Sequence, residues 1–142
     1  LRLQLEGDTV EEFMTRDPVT IHPDLNLQEF VDNYVLHYHF TQFPVVDEEG
    51  RLVGVAQSRG PKKVDPTDWE NRQVSDIMEE PADDTTAAPG LDAMEALSRL
   101  QGEEGKRLII TENDRPVGIL SLRDLLDFLA LKIDLSSRQM PG

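Results

Sequence analysis

Ser121 and Asp124 stand three residues apart in Pro116–Leu126, PVGILSLRDLL, where a short apolar strand runs into a helix. Ser-x-x-Asp at such a junction starts a helix. The hydroxyl accepts a hydrogen bond from a first-turn amide, and the carboxylate returns one and complements the helix dipole. The same groups suit a sugar: a carboxylate can accept from both hydroxyls of a ribose, and amides at a helix start favour phosphate. The two readings are compatible. Arg123, between them, is placed either to screen phosphate charge or to sit in solvent.

Other candidate groups lead to weaker chemistry. His37 and His39 are two residues apart and share no helical face, while His22 stands in a loop beside Pro23, so no metal set is expected. Paired carboxylates do acid–base work only when they are brought together and perturbed. Asp83 and Asp84 fall in a loop and strand start, and Asp92 and Glu95 at helix-cap positions. No Ser-His-Asp arrangement and no phosphate-cradling glycine loop is present, so the chain reads as non-catalytic.

The composition narrows the partners. The chain has 142 residues, 14 basic against 28 acidic, for a net charge of −14. A general nucleic-acid binder shows a basic face, and docking on anionic lipid needs one too, so both classes are disfavoured. There are no cysteines, which excludes disulfides and Cys-based zinc sites and fits a reducing, cytoplasmic setting. No apolar run approaches the ~18 residues of a membrane span. The chain opens at Leu1 without a Met and reads as a piece of a longer protein.

The elements that must position Ser121 and Asp124 occur twice. FPVVDEEGRLVGVAQSRG (Phe43–Gly60) matches RLIITENDRPVGILSLRD (Arg107–Asp124), pairing Gly54 with Gly118 and Arg51 with Arg115 at an offset of 64 residues. VEEFM (Val10–Met14) and VSDIM (Val74–Met78) keep that offset. Each copy reads as a helical turn ending in Met, an extended segment (Val19–Ile21; Asp84–Thr86), a helix capped at Asn26 or Asp92, and a hairpin. Leu27, Phe30, Val31, Tyr34, Val35 and Tyr38 predict one apolar stripe on the first helix, and Met94, Leu97 and Leu100 its counterpart. Leu122, Leu125, Leu126, Leu129 and Ile133 predict a buried face on the last helix. The first copy has RGPKKVDPTDWENR there instead, read as a linker with a helical turn near Asp68–Asn71. One such unit cannot bury both faces of its sheet, but two can. The expected fold is α+β, two β-α-β-β-α units packed sheet to sheet with pseudo-two-fold symmetry and a cleft between them. The units fall at 9–60 and 74–134, with a linker at 61–73, a junction at 1–8 and a tail at 135–142.

This tandem unit resembles a pair of CBS domains, a Bateman module, over about Thr9–Asp134. The likeness is carried by FMTRDPVTIHPDLNLQEFV, FPVVDEEGRLVGV and RPVGILSLRDLL in that order. The resemblance implies a regulatory module that binds an adenine nucleotide, requires no cofactor, controls an attached domain and forms homodimers. The family holds the ribose by Gly-x-x-Ser/Thr-x-x-Asp, here Gly118, Ser121 and Asp124, with Arg123 beside them. The first copy reads Gly54, Gln57 and Gly60, so at most one well-formed ribose site is implied. The base is implied to lie against Val19, Thr20, Ile21, Phe40 and Thr41. The acidic charge favours AMP over ADP or ATP. The alternative is a ligand-free dimerisation or docking module. DLNLQEFVDNYVLHYHFTQFPVVDEEGRLVGV and LRLQLEGDTVEEFM are also similar to the cytosolic CBS pair of site-2-protease-type membrane zinc metalloproteases. The His-Glu-x-x-His helix of such enzymes is not in this chain.

Overall fold

The computed structural model describes residues 7–102 and 105–139, so the expected junction and tail lie partly outside the described residues. The strands are β1 (Thr15–Arg16), β2 (Gln42–Val46), β3 (Leu52–Gln57), β4 (Thr86–Ala87), β5 (Arg107–Glu112) and β6 (Arg115–Ser121). The helices are α1 (Leu27–Phe30), α2 (Leu36–Tyr38), α3 (Ala93–Leu100) and α4 (Leu122–Gln139), with 3-10 turns between elements. The fold is α+β and contains the repeat twice.

Local chemistry makes each hairpin. Asn113 and Asp114 take φ values of 53° and 63° between β5 and β6, the left-handed pair that matches the twist of flanking strands. Between β2 and β3, Asp47 Oδ1 accepts from the amides of Glu49 (2.8 Å) and Arg51 (3.0 Å), and Gly50 takes φ 83°.

The sheets are completed across the repeats. One sheet has the order β1-β6-β5-β4. The other is the β2-β3 hairpin, extended by a parallel bridge from Ile21 to Val45 and an antiparallel bridge from Glu79 to Val55. Thr15 pairs with Ile119, and Glu79 with Val55. The opening segment of each repeat therefore borders the hairpin of the other. The cores follow the same exchange. Val10, Phe13 and Met14 pack with Leu108, Ile110, Leu120 and Leu125 of the second repeat. Val74 and Ile77 pack with Phe30, Phe43 and Val45 of the first.

A close approach fixes each crossing. A Cβ on Gly54 would lie 2.6 Å from Met78 Sδ and 3.2 Å from the Glu79 carbonyl oxygen. A Cβ on Gly118 would lie 2.7 Å from Met14 Cγ and 3.1 Å from Met14 Cβ. Glycine leaves the space that each Met needs to reach the opposite sheet.

Three apolar faces differ from the expected periodicity. Val31–Val35 is π-helical, between α1 and α2, so the stripe loses its 3.6-residue register: Leu27 and Phe30 are buried, but Tyr38 is exposed. On α3 the buried positions are Ala93, Ala96 and Leu100, while Met94 is 46% exposed. The helix turns its small residues inward because Ala93 and Ala96 sit under Val10, Phe13 and Met14 of the crossing segment. On α4 Leu125 is fully buried; Phe128 packs edge-on to Phe13, and Leu126 and Ile133 face outward. The linker forms 3-10 turns at Gly60–Lys63 and Pro66–Asn71, and Trp69 Nε1 donates to the carbonyls of Pro61 (3.2 Å) and Val64 (3.1 Å). No helix among the described residues is long and apolar enough to cross a membrane.

Gly118→Ala is expected to destabilise the fold by about 1–3 kcal/mol through overpacking against Met14. In a thermal-unfolding double-mutant cycle, Met14→Ala should cost less in the Gly118→Ala background than in wild type; strict additivity would show that the two do not touch. The pH dependence also follows from structure. The Gln73 amide, with Arg72, holds the Asp76 carboxyl below its ordinary value. A carboxyl depressed in the folded state stabilises above its unfolded pKa of about 3.9, and this is lost as pH falls further. Melting temperature should therefore drop below about pH 4, and Asp76→Asn should narrow the drop between pH 7 and pH 3.

Candidate functional site

The Ser-x-x-Asp motif lies where β6 becomes α4. The Asp124 amide donates to Ser121 Oγ at 3.1 Å, and the Ser121 amide donates to Asp124 Oδ2 at 3.4 Å. This is the reciprocal pattern of a capping box. It fixes both side chains at the edge of a cleft of about 540 Å³, whose lining includes Phe40, Thr41, Lys106, Arg107, Ser121 and Arg123.

Arg107 is the central group. It faces Ser121 across the β5-β6 ladder, which brings its guanidinium near Asp124. Burial pulls its pKa below the ordinary value, and the Asp124 charge opposes that shift. Its Cζ lies 4.7 Å from the centre of the Phe40 ring, a cation–π contact. Its Nη1 is buried and has no hydrogen-bond partner among the described residues. A buried donor left unpaired carries the full cost of desolvation.

Phe40 is held by its own neighbours. His39 ends α2 in the left-handed conformation, φ 59°, and turns the chain so that Phe40 stacks 5.4 Å from Tyr38 and lies 5.8 Å from Phe43. Thr41 Oγ1 donates to the Gly105 carbonyl at 2.9 Å, joining the repeats beside the cleft. Thr41 and Gly105 are equivalent in the 64-residue repeat, so the pseudo-two-fold axis passes close to this bond.

Of the residues expected to form the site, Phe40, Thr41, Ser121 and Arg123 line this cleft, and Asp124 is bonded to Ser121 at its edge. Arg123 is exposed, with Asp127 3.9 Å away. Val19, Thr20 and Ile21 lie elsewhere. Thr20 lines a separate cleft with Arg16, Arg115 and Val117. Val19 packs against the first repeat's apolar cluster, as Phe40 does. Ile21 is buried, and its amide and carbonyl are bonded to Pro44 and Val46. Lys106 and Arg107 were not singled out from the sequence. Arg107 is recognisable only once β5 is paired with β6, because 14 residues separate it from Ser121 in the chain. With Lys106 and Arg123 it gathers positive charge in one cleft of a protein of net charge −14.

The family model of the CBS domain matches residues 10–56 and 74–131. The chain belongs to the CBS domain family. Each matched CBS repeat begins with the helical turn that crosses to the other. Inosine-5'-monophosphate dehydrogenase of Methanocaldococcus jannaschii is 31% identical over 117 residues, covering 82% of this chain and 22% of the dehydrogenase. A zinc metalloprotease of the same organism is 30% identical over 121 residues, covering 85% of this chain and 32% of the protease. The CBS pair thus spans between a fifth and a third of these relatives. Among solved structures, the CBS domain of a bacterial CNNM/CorC family Mg2+ transporter in complex with ATP superposes with a TM-score of 0.75 at 25% identity. It covers 90% of this chain and 91% of that one. CBSX2 in complex with AMP gives a TM-score of 0.75 at 21% identity, covering 90% and 99%.

Arg107→Met is expected to change the stability of the empty CBS pair by less than about 1 kcal/mol, because the lost cation–π contact is offset by removal of an unsatisfied donor. Thermal or urea unfolding measures this. A loss above about 2 kcal/mol would mean that the guanidinium is needed for folding rather than held for a ligand.

Proposed function

We propose that this CBS pair is a non-catalytic regulatory module that binds an adenine nucleotide in the cleft between Phe40 and Ser121. The observation that carries the reading is Arg107, a half-buried guanidinium with an unpartnered Nη1 beside a carboxylate, a hydroxyl and an aromatic ring. Asp124 accepts from the ribose hydroxyls, Arg107 and Lys106 take the phosphate, and Arg123 screens it from solvent. The base lies against Phe40 and Thr41; Val19, Thr20 and Ile21, outside this cleft, do not take part. Support for this ligand class comes from relatives in complex with ATP and with AMP. AMP fits best, because a chain of net charge −14 repels each added phosphate.

The module acts through the domain attached to it. A ligand that bridges Thr41 of one repeat and Ser121 of the other binds best in one relative position of the repeats. It therefore biases whatever reads that position. The relatives support attachment to an enzyme, an inosine-5'-monophosphate dehydrogenase or a zinc metalloprotease, and the sequence resemblance favours a membrane metalloprotease carrying the CBS pair on its cytosolic face.

A second reading has its own observation. Leu126, Leu131 and Leu135 on α4 are 48%, 50% and 49% exposed, and Leu36 is 61% exposed near the first helix's end. These positions suit a homodimerisation or docking module that needs no ligand. Sedimentation with and without nucleotide separates the readings, since a docking module keeps one oligomeric state under both conditions.

The primary test is thermal unfolding with 5 mM AMP, ADP or ATP. A ligand at about 100 times its Kd adds about 2.7 kcal/mol, which raises the melting temperature by several degrees. The rise should be largest for AMP and absent in Asp124→Ala. No rise with any of the three in wild type would rule out the nucleotide reading.

A further inference from the structure

We infer that residues 1–6, which precede the described chain, lie along an open flank of α4 and cover Leu131 and Leu135. Phe128, Leu131, Lys132 and Leu135 recur at i, i+3, i+4 and i+7, so they share one flank of that helix. The chain's opening already covers part of this flank. The Phe13 and Phe128 ring centres are 4.4 Å apart, and Lys132 Nζ donates to Asp8 Oδ2 at 2.8 Å. The Asp8 carbonyl also accepts from the Ala93 amide at 2.9 Å, which fixes the backbone there. From Phe13 back to Asp8, the chain therefore advances one turn along α4 toward its C-terminal end. Leu131 and Leu135, on either side of Lys132, are still half exposed.

The residues upstream have the length and pattern to finish the cover. In LRLQLE, Leu1, Leu3 and Leu5 alternate with Arg2, Gln4 and Glu6, so an extended chain presents leucine on one side and polar groups on the other. Six extended residues reach about 20 Å, whereas Lys132 to Gln139 is about 10 Å of helix. Because Asp8 tethers the segment at this flank, its docking is intramolecular and outcompetes a separate partner of the same kind. Leu126 and Ile133 are seven residues apart on the opposite flank of α4 and stay open. The Ser121–Asp124 cap starts this same helix, so the cleft and the chain's opening residues meet on one 18-residue element. The inference holds whether or not the cleft binds a nucleotide.

The chain has no cysteine, so a pair introduced into the full chain reports on this contact alone. After mild oxidation in dilute solution, Leu5→Cys with Leu135→Cys should form a disulfide within one chain, seen as a faster band on a non-reducing gel. Leu5→Cys with Leu126→Cys should not, since a disulfide needs Cβ atoms about 4 Å apart. Leu5→Ser and Leu135→Ser should each lower the melting temperature. The double variant should melt no lower than the worse single one, as for residues that share a contact. Strictly additive shifts, equal closure to both flanks, or no closure to Leu135 would overturn the inference. A disulfide formed between chains would overturn it too, and would assign the flank to a second copy.

Discussion

The structure depends on the crossing of two short segments, each locked by a methionine over a glycine. Met14 reaches the sheet of the second repeat at Gly118, and Met78 reaches that of the first near Gly54. Neither repeat therefore owns a complete core. Val10, Phe13 and Met14 supply part of the second repeat's interior, and Val74 and Ile77 part of the first's. A side chain larger than hydrogen at either glycine would hold the segment off the sheet and open the apolar layer beneath it. The relative position of the repeats is consequently set by core packing rather than by a linker.

That constraint places the candidate site. Because the repeats are interlocked, Phe40 of one and Arg107 of the other meet at 4.7 Å, and Thr41 bonds the Gly105 carbonyl beside them. Arg107 is held between an aromatic face and a carboxylate with one donor unused. The arrangement concentrates cationic charge within an acidic molecule. The capping box does double duty in this setting. It starts α4 whether or not a ligand is present, and it holds Ser121 and Asp124 in fixed rotamers at the cleft edge.

The two halves have diverged around the same frame. Asn26 to Gln42 spans 16 residues where Asp92 to Lys106 spans 14. A π-helical stretch falls in the longer span, in the usual form of a single-turn bulge inside an α-helix. The helix end and left-handed His39 then aim Phe40 toward the second repeat. In the first half, the four-residue 3-10 turn Gly60–Lys63 follows the hairpin where the long α4 follows it in the second, and Ile77 packs close to Gly60. A symmetric frame thereby presents two dissimilar faces.

The sequence by itself determined the duplication, the hairpins, the helix caps and the Ser-x-x-Asp pair. Each of these is written in contiguous residues and obeys local rules of turn and cap chemistry. It also singled out Phe40 and Thr41, through likeness to a family. Only the tertiary structure decided which repeat each helical turn serves, since Val10–Met14 and Val74–Met78 look alike and either sheet offers a glycine. Only it turned Ala93 and Ala96 of α3 inward instead of Met94, because periodicity marks a stripe but the partner's bulk chooses which residues fit beneath it. It left Leu126 and Ile133 of α4 outside for the same reason. Arg107 became visible only through strand pairing, which joins residues 14 apart in the chain, and Val19–Ile21 separated from the cleft because Ile21 spends its backbone bonds on β2. Contacts of long sequence separation are fixed by packing of the whole molecule, and no local pattern encodes them.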